Sequence, residues 1–431
     1  MPHPVRELLG KLFSTRLGTN ILALYAVQGL NYLLPLLVLP YLLRVLGPSG
    51  YGSVAFAQSL MSYAVMLTDY GFNLSATRAI SLARDNPAEL ARIFWSTLTA
   101  KLLLLLVSAL VLVPVVAVVP RFREQWQVFA VCGLMVVGSC AFPQWYFQGL
   151  ERMRSVAVIQ AVTKLVAFIA TFVFVRSSAD QVVAAAVLSM PMAIAALLCA
   201  AAIKSIAPVR AWRPNMRDVR AAFAGNWHLF VSIAAGTLYL NTNAFLLGLM
   251  SGTYAVGLYT LANKVALTVF NVFGPIFQAT FPRASVAFGQ SGLEARRFVR
   301  RLAILLLPIA AIVSLLLVVF APVIIRIAAG GDYADAIPAL RIMGVLPLLL
   351  TVGTLLAQTV MINAGLSQAL SRVYMAVGVL NLVILPVLIV AYDAAGAAAS
   401  LVVAELVGPI LMFVAIRRRR VFAAVSQIAA P

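Results

Sequence analysis

The sequence predicts an all-α polytopic membrane protein, with about twelve transmembrane helices in two pseudo-symmetric six-helix bundles. Three observations lead there. Apolar residues make up 63% of the 431 residues, charged residues 10%, and the mean hydropathy is +1.01, whereas a soluble domain is nearer half apolar and a quarter charged. That apolar content supplies roughly twelve helical spans of the length needed to cross a bilayer. The cations fall in alternate connections, and one motif occurs twice at a separation of 205 residues.

The apolar runs place spans at 20–43, 51–73, 98–119, 127–147, 156–175 and 181–203. The second set follows at 226–250, 254–280, 302–325, 338–362, 371–392 and 394–416. The division is an N-terminal bundle over 1–203, a basic linker over 204–225, a C-terminal bundle over 226–420 and a tail over 421–431. Prolines interrupt many of the spans (Pro35, Pro114, Pro143, Pro191, Pro275, Pro308, Pro347 and Pro386). Each removes a backbone hydrogen bond and kinks its helix, which a bundle tolerates where the freed carbonyls face protein or water.

The repeat reads Gly52-Ser-Val-Ala-Phe-Ala57 in the first half and Gly257-Leu-Tyr-Thr-Leu-Ala262 in the second. A short Gly/Ser turn precedes each copy, and the segments close on Arg78-Ala79 and Arg283-Ala284. Homologous halves in a membrane chain are the signature of transporters that carry substrate between two bundles.

Twenty-four of the 32 basic residues fall in one set of connections, against six in the other, with Lys164 and Lys264 inside spans. Lys101 is counted among the 24 as a loop residue. By the positive-inside rule this bias puts both termini and the rich loops in the cytoplasm. The net charge of +19 is thereby explained without nucleic acid. The linker, with Trp212, and the segment 291–304 both suit the headgroup level of an anionic bilayer.

A charge near the bilayer centre costs about 2.5–3.5 kcal/mol on insertion scales and needs a reason. Lys264, Asn271 and Gln278 recur every seven residues, with Thr260 and Thr268 four to either side of Lys264, which puts them on one helical face. Gln160 and Lys164 form a shorter version in span five. These residues, with Asn31, Arg44, Asn241, Asn243 and Arg341, are the candidates for a substrate-binding cavity. Asp69 and Glu405 are candidates for ion coupling, Asp69 alternatively pairing with Arg78 or capping a helix. The amides could equally be hydrogen-bond partners that pack the bundle, typically worth about 0.6 kcal/mol each.

Chemistry beyond transport finds little support. Cys132, Cys140 and Cys199 sit in apolar runs without metal or haem spacing, and His3 and His228 stand apart; no metal or cofactor is expected. There is no G-x-x-x-x-G-K-[ST] loop, no H-E-x-x-H and no nucleophile elbow, so the chain does not read as an enzyme.

The run from Arg44 to Ser59, R-V-L-G-P-S-G-Y-G-S-V-A-F-A-Q-S, and the D-Y-G-F-N-L-S-A-T-R of Asp69 to Arg78 closely resemble the polysaccharide transporter family. These are the O-antigen and exopolysaccharide flippases of the multidrug/oligosaccharidyl-lipid/polysaccharide exporter superfamily. Gly257 to Lys264, G-L-Y-T-L-A-N-K, looks like that family's matching second-half motif. The resemblance implies a V-shaped pair of bundles in the bacterial inner membrane. It also implies an undecaprenyl-diphosphate-linked glycan as substrate, moved from the cytoplasmic to the periplasmic leaflet by alternating access, with polymerase and chain-length machinery as possible partners. A cationic cavity, frequent in the family, would fit Lys164 and Lys264. A lipid carrying a diphosphate and sugars cannot cross hydrocarbon unaided, because unpaired buried charge and hydroxyls are too costly. An inside-negative potential favours outward movement of negative charge by about 2.3 kcal/mol per charge per 100 mV. The rival readings are a multidrug or cation antiporter of the same superfamily, for which a cavity rich in acids is expected, and a membrane glycosyl polymerase or ligase, for which a large outer loop is expected. A non-transporting scaffold leaves the lysines inside spans unexplained.

Overall fold

The computed structural model describes residues 16–206, 208–419 and 421, without the side chains of the earliest helical residues; among the described residues the chain is helical, with no strand. In hydrocarbon the backbone must satisfy its own hydrogen bonds, and helices do so within each segment. The helices in chain order begin with α1 (Arg16–Asp69), α2 (Phe72–Leu82), α3 (Pro87–Val118), α4 (Pro120–Arg123), α5 (Trp126–Ala141) and α6 (Gln144–Gly149). Next come α7 (Met153–Phe174), α8 (Gln181–Ile206), α9 (Met216–Met250), α10 (Thr253–Asn271), α11 (Gly274–Gln290) and α12 (Gly292–Val319). The chain finishes with α13 (Ala321–Ala329), α14 (Ile337–Met343), α15 (Leu346–Thr354) and α16 (Ser367–Arg418). A 3-10 turn at Gly331–Ala336 precedes α14, and a π-helical stretch at Leu355–Ile362 follows α15.

Among the described residues, seven helices are long and apolar enough to cross a membrane, or nine when two bent pairs each count as one span. The chain is a multi-pass membrane protein. Two helices exceed any bilayer, since 54 residues of α1 and 52 of α16 would run to about 80 Å at 1.5 Å per residue. Each is broken once, α1 at Gly47 (φ 66°, ψ 178°) and α16 at Asp393 (φ 46°, ψ −124°). Each therefore carries two of the twelve spans read from the sequence. At the second break the Asp393 carboxylate accepts a 2.5 Å hydrogen bond from Ser251. Span eight is the bent pair α10–α11, turned by 44°. Ser291 starts α12 as a cap, its hydroxyl accepting from the Glu294 N–H at 3.2 Å.

The lipid-facing surface is visible as exposed apolar stripes. On α12 Ile304, Leu305, Ile309, Ile312, Leu315, Leu316 and Val319 are exposed, and on α3 Leu102, Leu106, Leu110 and Val113. Their spacing of three and four residues marks one face of each helix.

The described helices fall into two compact units. The first comprises Met1–Val45, Leu67–Val115 and Gln127–Trp227; the second comprises Leu46–Met66, Val116–Trp126 and His228–Pro431. Residues 46–66 and 116–126, from the first half of the sequence, thus pack with the second. The core of the first unit gathers Phe94, Trp145, Tyr146, Phe147, Ile80 and Cys199. Here the basic linker is anchored: the Trp95 indole donates to the Arg210 carbonyl at 3.0 Å, and Arg92 pairs with Asp218 at 2.7 Å. Val219 is buried with Phe72 and Ala100. The second unit is built around Phe288, Met361 and Met412, and around Phe273, Phe277 and Leu306.

Within the second unit the two copies of the repeat touch. A Cβ on Gly52 would lie 1.8 Å from the Thr253 carbonyl oxygen, and one on Gly257 2.1 Å from that of Pro48. The segment 46–66 of α1 and helix α10 therefore approach backbone to backbone, a separation only glycine permits.

Candidate functional site

Lys264 stands on α10, a helix almost wholly covered by protein. Its exposed positions are Tyr254, Lys264 and Asn271, with no exposed Leu, Val, Ile or Phe. A helix face turned to lipid displays apolar side chains, as α12 does; a face whose openings are lysine and asparagine borders water or a polar ligand. Gln278, one heptad beyond Asn271 and past the bend into α11, is exposed as well. The spacing Lys264, Asn271, Gln278 read from the sequence thus corresponds to three open polar positions.

The surroundings of Lys264 are specific. Its ammonium lies 5.4 Å from the centroid of the Tyr51 ring, a cation–π distance. None of the five ion pairs among the described residues includes it. Thr260 Oγ1, one turn earlier, and Oδ1 of the adjacent Asn263 are buried atoms without a hydrogen-bond partner. Buried acceptors of this kind are uncommon and costly unless something donates to them.

Lys164, on α7 in the first unit, is exposed, and Gln160 one turn before it is half-buried. The lipid stripe of α7 runs through Val158, Val162, Leu165, Ile169 and Val173. At 100° per residue Lys164 points roughly 140° away from the centre of that stripe. The opposite side carries Val156, Thr163 and Thr171, which are buried. The lysine is therefore on the protein side of its helix and still open.

The remaining candidates have other settings. Asn243 is 1% exposed and belongs to a packed network of three side chains: it donates to the Ala397 carbonyl at 3.0 Å and accepts from Asn381 at 2.7 Å, while Ser400 donates to Asn381 at 2.6 Å. Asn241 bonds back to Thr237 of its own helix at 3.1 Å. Glu405 is half-buried and accepts a 2.6 Å hydrogen bond from the Tyr239 hydroxyl. Arg44 and Arg341 are exposed, the first near the Gly47 break and the second at the end of α14. The side chain of Asn31 lies outside the described residues.

Asp69 ends α1, and Tyr70 and Gly71, both at positive φ, turn the chain into α2. The charged neighbour of Asp69 is Lys101 at 3.8 Å, rather than Arg78. Lys101 is 1% exposed and donates to the Ser139 carbonyl at 3.3 Å. It is no loop cation: α3 begins at Pro87, so Lys101 sits nearly four turns inside the helix. The pair joins α1, α3 and α5.

The sequence reading therefore overlooked Tyr51, Asn263, Lys101 and Asn381. A polar residue in the apolar run of span eleven was the available signal for Asn381; Tyr51 had none. Among the described residues no cluster of three His, Cys, Asp or Glu side chains could hold a metal, and the three cysteines are buried and free.

A protein named "Putative O-antigen transporter" from Escherichia coli K12 is 29% identical over 404 residues, 94% of this chain and 97% of the relative. One of the same name from Shigella dysenteriae is 31% identical over 403 residues, covering 92% and 99%. In fold, the chain is similar to an inward-facing multidrug resistance MATE family transporter of the MOP superfamily, with a TM-score of 0.73 at 16% identity over 94% of this chain and 96% of that one. A MOP superfamily transporter from Pyrococcus furiosus matches with a TM-score of 0.54 at 16% identity, over 92% of each chain. Residues 17–288, which contain both copies of the repeat, match the model of a family described as polysaccharide biosynthesis protein. The chain belongs to that family, and is a membrane transporter as its motifs foreshadow.

Proposed function

We propose that the protein is a flippase that moves an undecaprenyl-diphosphate-linked oligosaccharide from the cytoplasmic to the periplasmic leaflet of the bacterial inner membrane, for surface polysaccharide synthesis. The observation that carries this reading is the open face of α10, where lysine and asparagine stand in place of lipid-facing side chains. Lys264 supplies positive charge for a diphosphate. The open amides Asn271 and Gln278 suit sugar hydroxyls. The prenyl tail stays in lipid throughout. The relatives named as O-antigen transporters support the substrate class.

In this reading residues 1–203 and 226–420 are two six-span bundles, the linker 204–225 and the tail 421–431 lie in the cytoplasm with both termini, and the bundles alternate in access. The membrane potential assists, since each negative charge carried outward gains about 2.3 kcal/mol per 100 mV. An exporter of cationic drugs would need acids where this chain exposes Lys264.

Reconstitution in liposomes containing a polyprenyl-diphosphate oligosaccharide tests this, with arrival of the glycan in the far leaflet followed by a glycosidase added outside. Flux well above empty liposomes, reduced at least tenfold by Lys264→Ala, is expected. Flux equal to empty liposomes overturns the proposal.

A further inference from the structure

Tyr51 and Lys264 differ in freedom. Tyr51 is 3% exposed and adjoins Gly52, whose backbone is pressed against that of Thr253, so the ring cannot shift without parting the two helices. Lys264 is exposed and has a four-carbon stem with several rotatable bonds. The ring is thus the fixed partner and the ammonium the mobile one. Lys264 is in none of the ion pairs among the described residues. The nearby Thr260 and Asn263 oxygens remain unpartnered.

We infer that Tyr51 is a positioning residue: its ring holds the Lys264 ammonium at the helix crossing, and a diphosphate-bearing ligand takes the ammonium from the ring. This rests on the flippase reading for the identity of the ligand, while the contact itself does not. A cation–π contact at this exposure shifts an equilibrium only roughly two- to five-fold. A charge-assisted hydrogen bond to phosphate is stronger, so transfer to the ligand is favourable. The ring keeps the lysine extended toward the pathway and prevents it from folding back, which lowers the ordering needed when the ligand arrives.

Reductive methylation with ¹³C-formaldehyde tests this on the full chain in nanodiscs. The protein has five lysines, the products keep their charge, and Lys264→Arg assigns the signal. Expected is one dimethylammonium resonance displaced upfield by the ring current, retained in Tyr51→Phe and returned to the ordinary position in Tyr51→Leu. Millimolar inorganic pyrophosphate should move the same resonance, with farnesyl diphosphate acting at lower concentration if a lipid-borne headgroup is the better ligand; sodium sulfate at equal ionic strength should move it at least tenfold less. An undisplaced Lys264 signal, or one unchanged in Tyr51→Leu, overturns the positioning role. A displaced signal that pyrophosphate and farnesyl diphosphate both leave in place overturns the hand-over. Wild-type flux equal to empty liposomes while the resonance behaves as expected would remove the flippase reading and leave the contact standing.

Discussion

Gly52 and Gly257 occupy equivalent places in the repeat and press against each other's helix reciprocally, each facing the carbonyl oxygen four residues before the other. Both the glycines and the facing residues, Pro48 and Thr253, are offset by 205 positions. The contact is therefore two-fold symmetric in sequence and in space, as in an isologous interface folded into one chain.

Alanine at either glycine forces backbone to move, since the atom it meets is a carbonyl and not a flexible side chain. Gly52→Ala and Gly257→Ala should each cost about 1–3 kcal/mol, the range for overpacking, and by symmetry should cost similar amounts. Gly133→Ala, whose new Cβ meets nothing within 4 Å, should be neutral or gain up to about 1 kcal/mol within its helix. Thermal unfolding of the detergent-solubilised variants checks the contrast.

The buried pair Asp69–Lys101 should behave as one unit. Removing a single partner strands a charge, so Lys101→Met or Asp69→Ala should destabilise by about 3–5 kcal/mol. The double variant should lose clearly less than the two singles added together. Strict additivity in a double-mutant cycle would show that the two charges ignore each other.

Asn243 and Lys264 separate packing from transport. Ser400→Ala should cost about 0.6 kcal/mol, the average for a hydrogen bond between membrane helices. Asn381→Leu strips a partner from both Asn243 and Ser400 and should cost about 1–3 kcal/mol. Surface glycan per folded molecule should stay normal in both. Lys264→Ala should do the reverse, leaving the melting temperature near wild type while transport falls.

How far the sequence could be read depends on which contacts are local. The apolar runs marked the spans, because crossing lipid demands length and hydrophobicity that no soluble helix needs. The joining of spans into α1 and α16 was not legible, since each break occupies a single residue, Gly47 or Asp393. Lys101 was misplaced because it abuts the apolar run that begins at Leu102 and so looks like its flank; the helix had in fact begun at Pro87. Along α10 the seven-residue spacing revealed the polar face, while Tyr51, brought to Lys264 only by the glycine crossing, carries no periodic signal. Asn243 shares its helix with Asn241 and reads the same in sequence; only the partners Asn381 and Ser400 show that its amide is used inside the fold.

Charge at position 264 is the most direct test of the cationic pathway. Surface polysaccharide, normalised to protein level in cells that depend on this chain, should follow the order wild type, Lys264→Arg, Lys264→Ala, Lys264→Glu, with the last at least tenfold below the first. Wild-type polysaccharide in both Lys264→Ala and Lys264→Glu would contradict a route in which the acidic head group is met by this lysine.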